Sequence, residues 1–326
     1  MKKYLLGFFL LLIKVHAFGQ MTSGQTGKRD TSYTNYSAYQ STKKEHPNIK
    51  LVRENLPPSV RERRDLVYCH IGDRKLLLDA FYPKKPTNKK TPAILIIHGG
   101  GWRSGNRAQH IPLAQRLAAL GYACFTAEYR LSTEALYPAA VHDLKAALRW
   151  MRANAKEFNI DTARIAALGF SAGGELAAFI GTTNKNPKYE GENCHPGYSS
   201  QVQALVDIDG TLSFVHPESG EGNDSRSISA ATYWFGYPKK EKFALWEDAS
   251  PLAHVGQNTP PTLFLNSSVD RMHAGRDDFR KELTKYNIYS EAHTFPGAPH
   301  SFCLFEPWFE PTINYIADFL GKVFRK

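Results

Sequence analysis

The sequence contains no apolar run of the about 20 residues that a membrane span requires. Its longest such run, Tyr4 to Ile13, follows Lys2 and Lys3 and precedes small residues near Ala17 and Gly19, the layout of a secretory signal peptide. Residues 1–20 are therefore expected to be a cleaved signal, leaving no stable membrane span. The expected location is periplasmic, cell-surface-associated or secreted. Cysteine is also scarce: Cys69, Cys124, Cys194 and Cys303 lie far apart, without the paired spacing of a zinc site, so no metal is expected. Cys69 and Cys124 sit in apolar strand-like runs, as buried thiols do, whereas Cys194 and Cys303 fall in loops, where a disulfide between them is open in an oxidising compartment. No basic helix interleaved with aromatics occurs. Although the formal net charge is +10, Lys and Arg are scattered, so nucleic acid is not an expected partner. An acidic polysaccharide is compatible with such a surface.

What the chain does have is length and apolar content. With 326 residues, 42% of them hydrophobic, it can bury a large core. Residues 21–56 are rich in Ser, Thr, Gln, Tyr and Lys and read as a flexible lead-in. From residue 57 to 326 short β-rich runs alternate with helical patterns, the signature of a mostly parallel α/β sheet with helices on both faces. Eight strands are expected, beginning with an antiparallel pair at 64–71 and 75–82 and continuing at 93–98, 122–129, 164–170, 203–209, 262–266 and 290–295. Runs such as AILII and TLFL are apolar without alternation, as central parallel strands are.

One strand carries a misleading motif. LVDIDGTLSF, residues 205–214, matches the start of a haloacid dehalogenase-like phosphatase, with Asp207 as nucleophile and Asp209 as acid. That chemistry also needs an acidic pair for magnesium at a later strand end, where Asn266 and Phe295 stand instead.

The strongest local signal is GFSAGG, residues 169–174, a G-x-S-x-G between an apolar strand and an Ala-rich helix. A tight strand-to-helix turn presents the Ser171 hydroxyl and crowds its neighbours, which is why Gly169 and Gly173 are small. Upstream, HGGGW, residues 98–102, follows the strand AILII. The backbone N–H groups of Gly100 and Gly101, with that of Ala172, are candidates to surround a developing oxyanion.

A serine hydroxyl needs a base, and the base an orienting carboxylate. His300, in GAPHSF after the last strand, stands where the chain order Ser, Asp, His places the base. Asp270, in the loop after strand 262–266, is the first candidate acid. Asp277 and Asp278 on the next helix, and Asp209 at the end of the preceding strand, are the alternatives.

At HGGGW, AEYRLS (127–132), YPAAVHDLKAALRWMRANA (137–155), DTARIAALGFSAGGELAA (161–178), ASPLAHV (249–255) and the Asp270 and His300 loops, the chain resembles the α/β-hydrolase superfamily. The resemblance is strongest to its exported esterase and lipase group, which includes bacterial carbohydrate esterases and feruloyl-esterase-like enzymes. It implies a serine carboxylic-ester hydrolase with Ser171, Asp270 and His300 as triad, the oxyanion donors named above and no cofactor. One departure is that Arg271 follows Asp270 where many relatives carry Pro. Asp143, in YPAAVHD, is expected to be structural. The expected substrate is an acetyl, methyl or feruloyl ester on pectin or xylan; a small-molecule carboxylesterase or lipase is the alternative. A serine peptidase and a non-catalytic binding module are the remoter readings. Specificity is expected from loops 182–200 and 213–248, whose aromatics, Tyr189, Tyr198, Tyr233, Trp234, Phe235 and Trp246, suit either a sugar-binding lip or lid packing.

Overall fold

The computed structural model describes residues 20–84, 89–192 and 194–325. The expected signal peptide thus lies outside the described residues apart from Gln20. In chain order the strands are β1 (Lys50–Leu51), β2 (Val60–Ile71), β3 (Arg74–Pro83), β4 (Thr91–Ile97), β5 (Ala123–Ala127), β6 (Ile160–Phe170), β7 (Ala204–Ile208), β8 (Thr262–Asn266), β9 (Ser290–Thr294) and β10 (Phe305–Glu306). The helices are α1 (Asn35–Thr42), α2 (Ile111–Ala119), α3 (Ala139–Ala153), α4 (Ala172–Thr182), α5 (Ala230–Phe235), α6 (Phe243–Asp248), α7 (Arg276–Lys285) and α8 (Phe309–Phe324).

Eight strands form one sheet in the order β2-β3-β5-β4-β6-β7-β8-β9, antiparallel through β2, β3 and β5 and parallel from β5 onward. Every residue of β5, β7 and β8 is buried, because helices cover both faces and leave no polar side for alternation. One face packs on α3, α4 and α7; the other packs on α2 and α8. In α8 the buried Phe309, Ile313, Ile316 and Leu320 recur at helical spacing, so one stripe faces the sheet. Register aligns the strand ends, with Ile97 beside Gly169, Phe170 beside Ile208, and Ile208 beside Leu265. The loops after β4, β6, β7 and β8 therefore emerge together at one edge, where ligands bind in sheets of this kind.

Residues 20–56 are not a loose lead-in. They form a strap with α1, whose Thr34 and Ser37 make a reciprocal capping box, and with β1, which pairs with β10. The N–H groups of Thr26 and Gly27 donate to the Thr133 carbonyl, and Gly105 N–H donates to the Asp30 carbonyl. Arg29 pairs with the buried Glu128, which also receives Arg74 at 2.7 Å and Arg107 at 3.1 Å. These hydrogen bonds and ion pairs add to the packing of Ala38 and Ile49 in the core on the α2/α8 face.

The disulfide also differs from the expected pairing. Cys194 joins Cys69 of β2, 125 residues away, while Cys124 and Cys303 are buried free thiols. Cys303 packs in the core on the α2/α8 face, whereas Cys194 lies against the core of the opposite face, so the sheet separates them.

Candidate active site

Ser171 sits between the end of β6 and the start of α4 with φ 57° and ψ −122°. For a residue other than glycine this conformation costs about 1–3 kcal/mol, and the surrounding packing holds it. A Cβ at Gly169 would collide with the Gly173 carbonyl, and one at Gly173 would collide with the Ile97 carbonyl. Those two glycines let the turn close and leave the hydroxyl at the α4 N-terminus, where the helix dipole favours negative charge.

The Ser171 hydroxyl donates to His300 Nε2 at 2.9 Å, and His300 Nδ1–H donates to Asp209 Oδ2 at 3.0 Å. An ionised carboxylate only accepts hydrogen bonds, so its contact places the proton on Nδ1 and leaves Nε2 to accept. Asp209 is buried at the end of β7, and its Oδ1 accepts from Ser267 N–H at 2.8 Å. Its carboxylate is thereby aimed at the imidazole, whose ring lies 4.9 Å from that of Phe170.

This geometry corrects the expected acid. Asp270 begins a short 3-10 helix after β8 that turns its side chain outward, 94% exposed, with His273 at 3.9 Å as its ion-pair partner. Nor does His300 meet Asp277, which pairs with Arg276, or Asp278, which faces His216. Asp207, the other aspartate of LVDIDGTLSF, accepts from Gly210 N–H at 2.9 Å, and burial followed by the charge of Asp209 pushes its carboxyl well above the usual range. One aspartate of the pair is therefore structural, and the other holds the base.

The HGGGW loop lies against the serine: a Cβ at Gly99 would sit 3.1 Å from Ser171 Cβ. Gly100 and Gly101 have φ +121° and +60°, and a Cβ at Gly100 would strike the Ser104 carbonyl. The amides of Gly100, Gly101 and Ala172 donate to no protein acceptor among the described residues, as an oxyanion site requires. Gln109, which sequence reasoning missed, steadies the loop by accepting from Gly99 N–H at 2.7 Å. Behind it Trp102 donates to Glu175 at 2.8 Å and stacks on Trp234 at 5.0 Å. Burial raises the Glu175 carboxyl well above its ordinary value, which favours its neutral form as the acceptor for Trp102. His98 is buried, stacked on Tyr129 at 4.5 Å, and pushed down to about 4, which leaves it uncharged.

Two other expectations resolve. Asp143 is buried and holds Arg130 through both oxygens, at 2.7 and 2.8 Å, away from the triad. The loop 182–200 runs from the end of α4 along α3 to edge strand β2, where Cys194 is bonded to Cys69. Arg149 and Arg152 tie it to α3, and Tyr189 is buried. The segment 213–248 does follow a strand end on the Ser171 side. Its Trp234, Phe235 and Trp246 are nevertheless packed inward, and Tyr233 lies under Arg103 at 4.1 Å. No cluster of three metal-ligating side chains occurs among the described residues.

A serine on a strand-to-helix elbow, with its base and acid on the next loops of one parallel sheet, defines an α/β-hydrolase of the serine esterase class. The chain belongs to the BD-FAE family, whose profile matches residues 78–274. It is 32% identical to "Esterase LipC" of Mycobacterium tuberculosis over 83% of this chain and 70% of that protein. Among solved structures, the apo form of Thermogutta terrifontis esterase 2 aligns with a TM-score of 0.66 at 25% identity, covering 82% of this chain and 95% of that one. That esterase has also been solved phosphoramylated by tabun. A bifunctional GH43-CE protein of Bacteroides eggerthii aligns with a TM-score of 0.68 at 25% identity, covering 80% of this chain and 38% of its own.

Proposed function

We propose that the protein is an exported carbohydrate esterase that removes acetyl, methyl or feruloyl groups from plant cell-wall polysaccharide through Ser171, His300 and Asp209. The observation that carries the chemistry is the continuous relay of 2.9 and 3.0 Å from the Ser171 hydroxyl to the Asp209 carboxylate. His300 Nε2 takes the hydroxyl proton as Ser171 Oγ attacks the ester carbonyl. Negative charge then collects on the carbonyl oxygen, where the amides of Gly100, Gly101 and Ala172 receive it; one such donor is worth about 2.7–4 kcal/mol. The imidazolium, held by Asp209, returns its proton to the leaving alcohol, the acyl–oxygen bond breaks, and the acyl group stays on Ser171. Water then repeats the sequence, His300 taking its proton, and releases the acid and free Ser171.

Export is supported by the leader pattern and by the Cys69–Cys194 disulfide, which suits an oxidising compartment. The carbohydrate substrate is supported by the basic surface, at +10 overall, and by likeness to the Bacteroides eggerthii GH43-CE protein. A small-molecule carboxylesterase is the second reading, favoured by the relative described as ethyl acetate hydrolase of Pseudomonas putida, 27% identical over 64% of this chain. Acetate and methanol release from acetylated xylan, acetylated pectin and methylated pectin, by wild type and Ser171→Ala, separates the two. Release from at least one polymer that Ser171→Ala abolishes is expected. Inactivity on all three beside strong tributyrin hydrolysis contradicts the carbohydrate reading.

A further inference from the structure

We propose that the cleft between the N-terminal strap and the loop leading into α2 is a sugar subsite, holding one residue of the substrate's carbohydrate chain beside the nucleophile. The proposal rests on the carbohydrate-esterase reading and adds where the glycan is gripped. The cleft has a volume of about 550 Å³, inside the range of about 300–1,000 Å³ for small-ligand sites. One wall is strap, from Tyr33 to Tyr36 and Leu51 to Glu54; the other is Asn106, Ala108, Gln109 and Pro112.

Its position couples it to the reaction. Gln109 lines the cleft and also accepts from Gly99 N–H, and Gly99 abuts Ser171. The Tyr33 ring, on the opposite wall, stands 3.4 Å from where a Gly100 Cβ would be. A ligand seated here is therefore within one residue of the oxyanion loop.

Its chemistry is that of a sugar site, an aromatic face with planar polar groups around it. Tyr36 is 60% exposed, and Gln40 donates to its hydroxyl, so the ring is held while its surface is open. Arg53 is exposed and makes no ion pair among the described residues, leaving a guanidinium for hydroxyl or carboxylate oxygens. At the floor Asn35 donates to the Gln109 carbonyl at 2.9 Å, while Asn35 Oδ1 and Gln109 Nε2 are buried without a hydrogen-bond partner among the described residues. Leaving both unmet is costly, and a ligand hydroxyl at the floor would supply the missing partners.

The test is calorimetric titration of full-length Ser171→Ala protein with xylotetraose, a neutral probe, and tetragalacturonate, an acidic one. Adding Tyr36→Ala and Arg53→Ala to that background truncates the cleft wall at exposed positions, with thermal unfolding as the check on folding. Binding of either probe is expected, weakened about tenfold by the wall variants, the scale of losing an aromatic anchor. No binding of either probe, or binding that the variants leave unchanged, overturns the proposal. Because titration needs no turnover, the outcome is independent of the substrate reading. A protein that binds xylotetraose through Tyr36 yet deacetylates no polymer keeps the cleft and loses the function. One that deacetylates xylan equally well with the wall truncated keeps the function and loses the cleft.

Discussion

In the proposed mechanism the proton that leaves Ser171 is taken by His300, and the charge this creates is met by Asp209, which contacts the imidazole at 3.0 Å. Asp209→Asn keeps the shape but permits the wrong imidazole tautomer, and is expected to lower kcat on 4-nitrophenyl acetate by about 10⁴-fold. Asp270→Asn, on a side chain 94% exposed, is expected to stay within about twofold of wild type. Equal losses in the two variants contradict the assignment. Glu175 offers a separate test by pH. Its folded-state pKa is raised by burial, so its contribution to stability is full below the unfolded carboxyl value and is lost as pH rises toward the folded one. Glu175→Gln keeps an acceptor for Trp102 Nε1–H and cannot ionise. The melting temperature of the variant relative to wild type is expected to be higher at pH 8 than at pH 5; an unchanged difference shows that Glu175 does not titrate as stated.

At the scale of the element, the turn from β6 into α4 works only because two backbone strands approach within the space of a hydrogen atom on Cα. Gly173→Ala would press a methyl group on the Ile97 carbonyl, and is expected to cost about 1–3 kcal/mol of stability and to remove esterase activity. Denaturant titration and 4-nitrophenyl acetate turnover check the two effects; full activity in a folded variant contradicts this account of the elbow. The Cys69–Cys194 bridge closes a long loop and pins the segment before β7 to the edge strand β2. Replacing both cysteines by serine is expected to cost about 2–5 kcal/mol, read as a shift in the denaturation midpoint. Turnover at 25 °C is expected to survive, because the bridge sits on edge strand β2, with β3, β5 and β4 between it and β6.

Across the whole molecule, the sheet was legible because its central strands are apolar runs with no alternation, and the elbow because glycine brackets a serine between strand and helix. The triad acid was not, since Asp209 and Asp270 both lie between Ser171 and His300 in the chain, and sequence order does not measure distance to an imidazole. The decisive contact is Ser267 N–H on Asp209 Oδ1, a pairing across 58 residues that no local motif records. The strap was hidden by its polar composition, and the anchoring of loop 182–200 by a bond from Cys194 to Cys69, 125 residues away, has no local signal. Of the two readings of the 213–248 aromatics, packing is the one found for Trp234 and Trp246, which fill the space behind the oxyanion loop. The central claim is that this assembly activates one serine for acyl transfer. Intact-mass and peptide analysis after exposure to diethyl 4-nitrophenyl phosphate tests it most directly. The account predicts a single diethylphosphoryl adduct on Ser171 that tracks loss of esterase activity and is absent from Ser171→Ala; an active protein that stays unlabelled, or an adduct on another residue that tracks the loss, contradicts it.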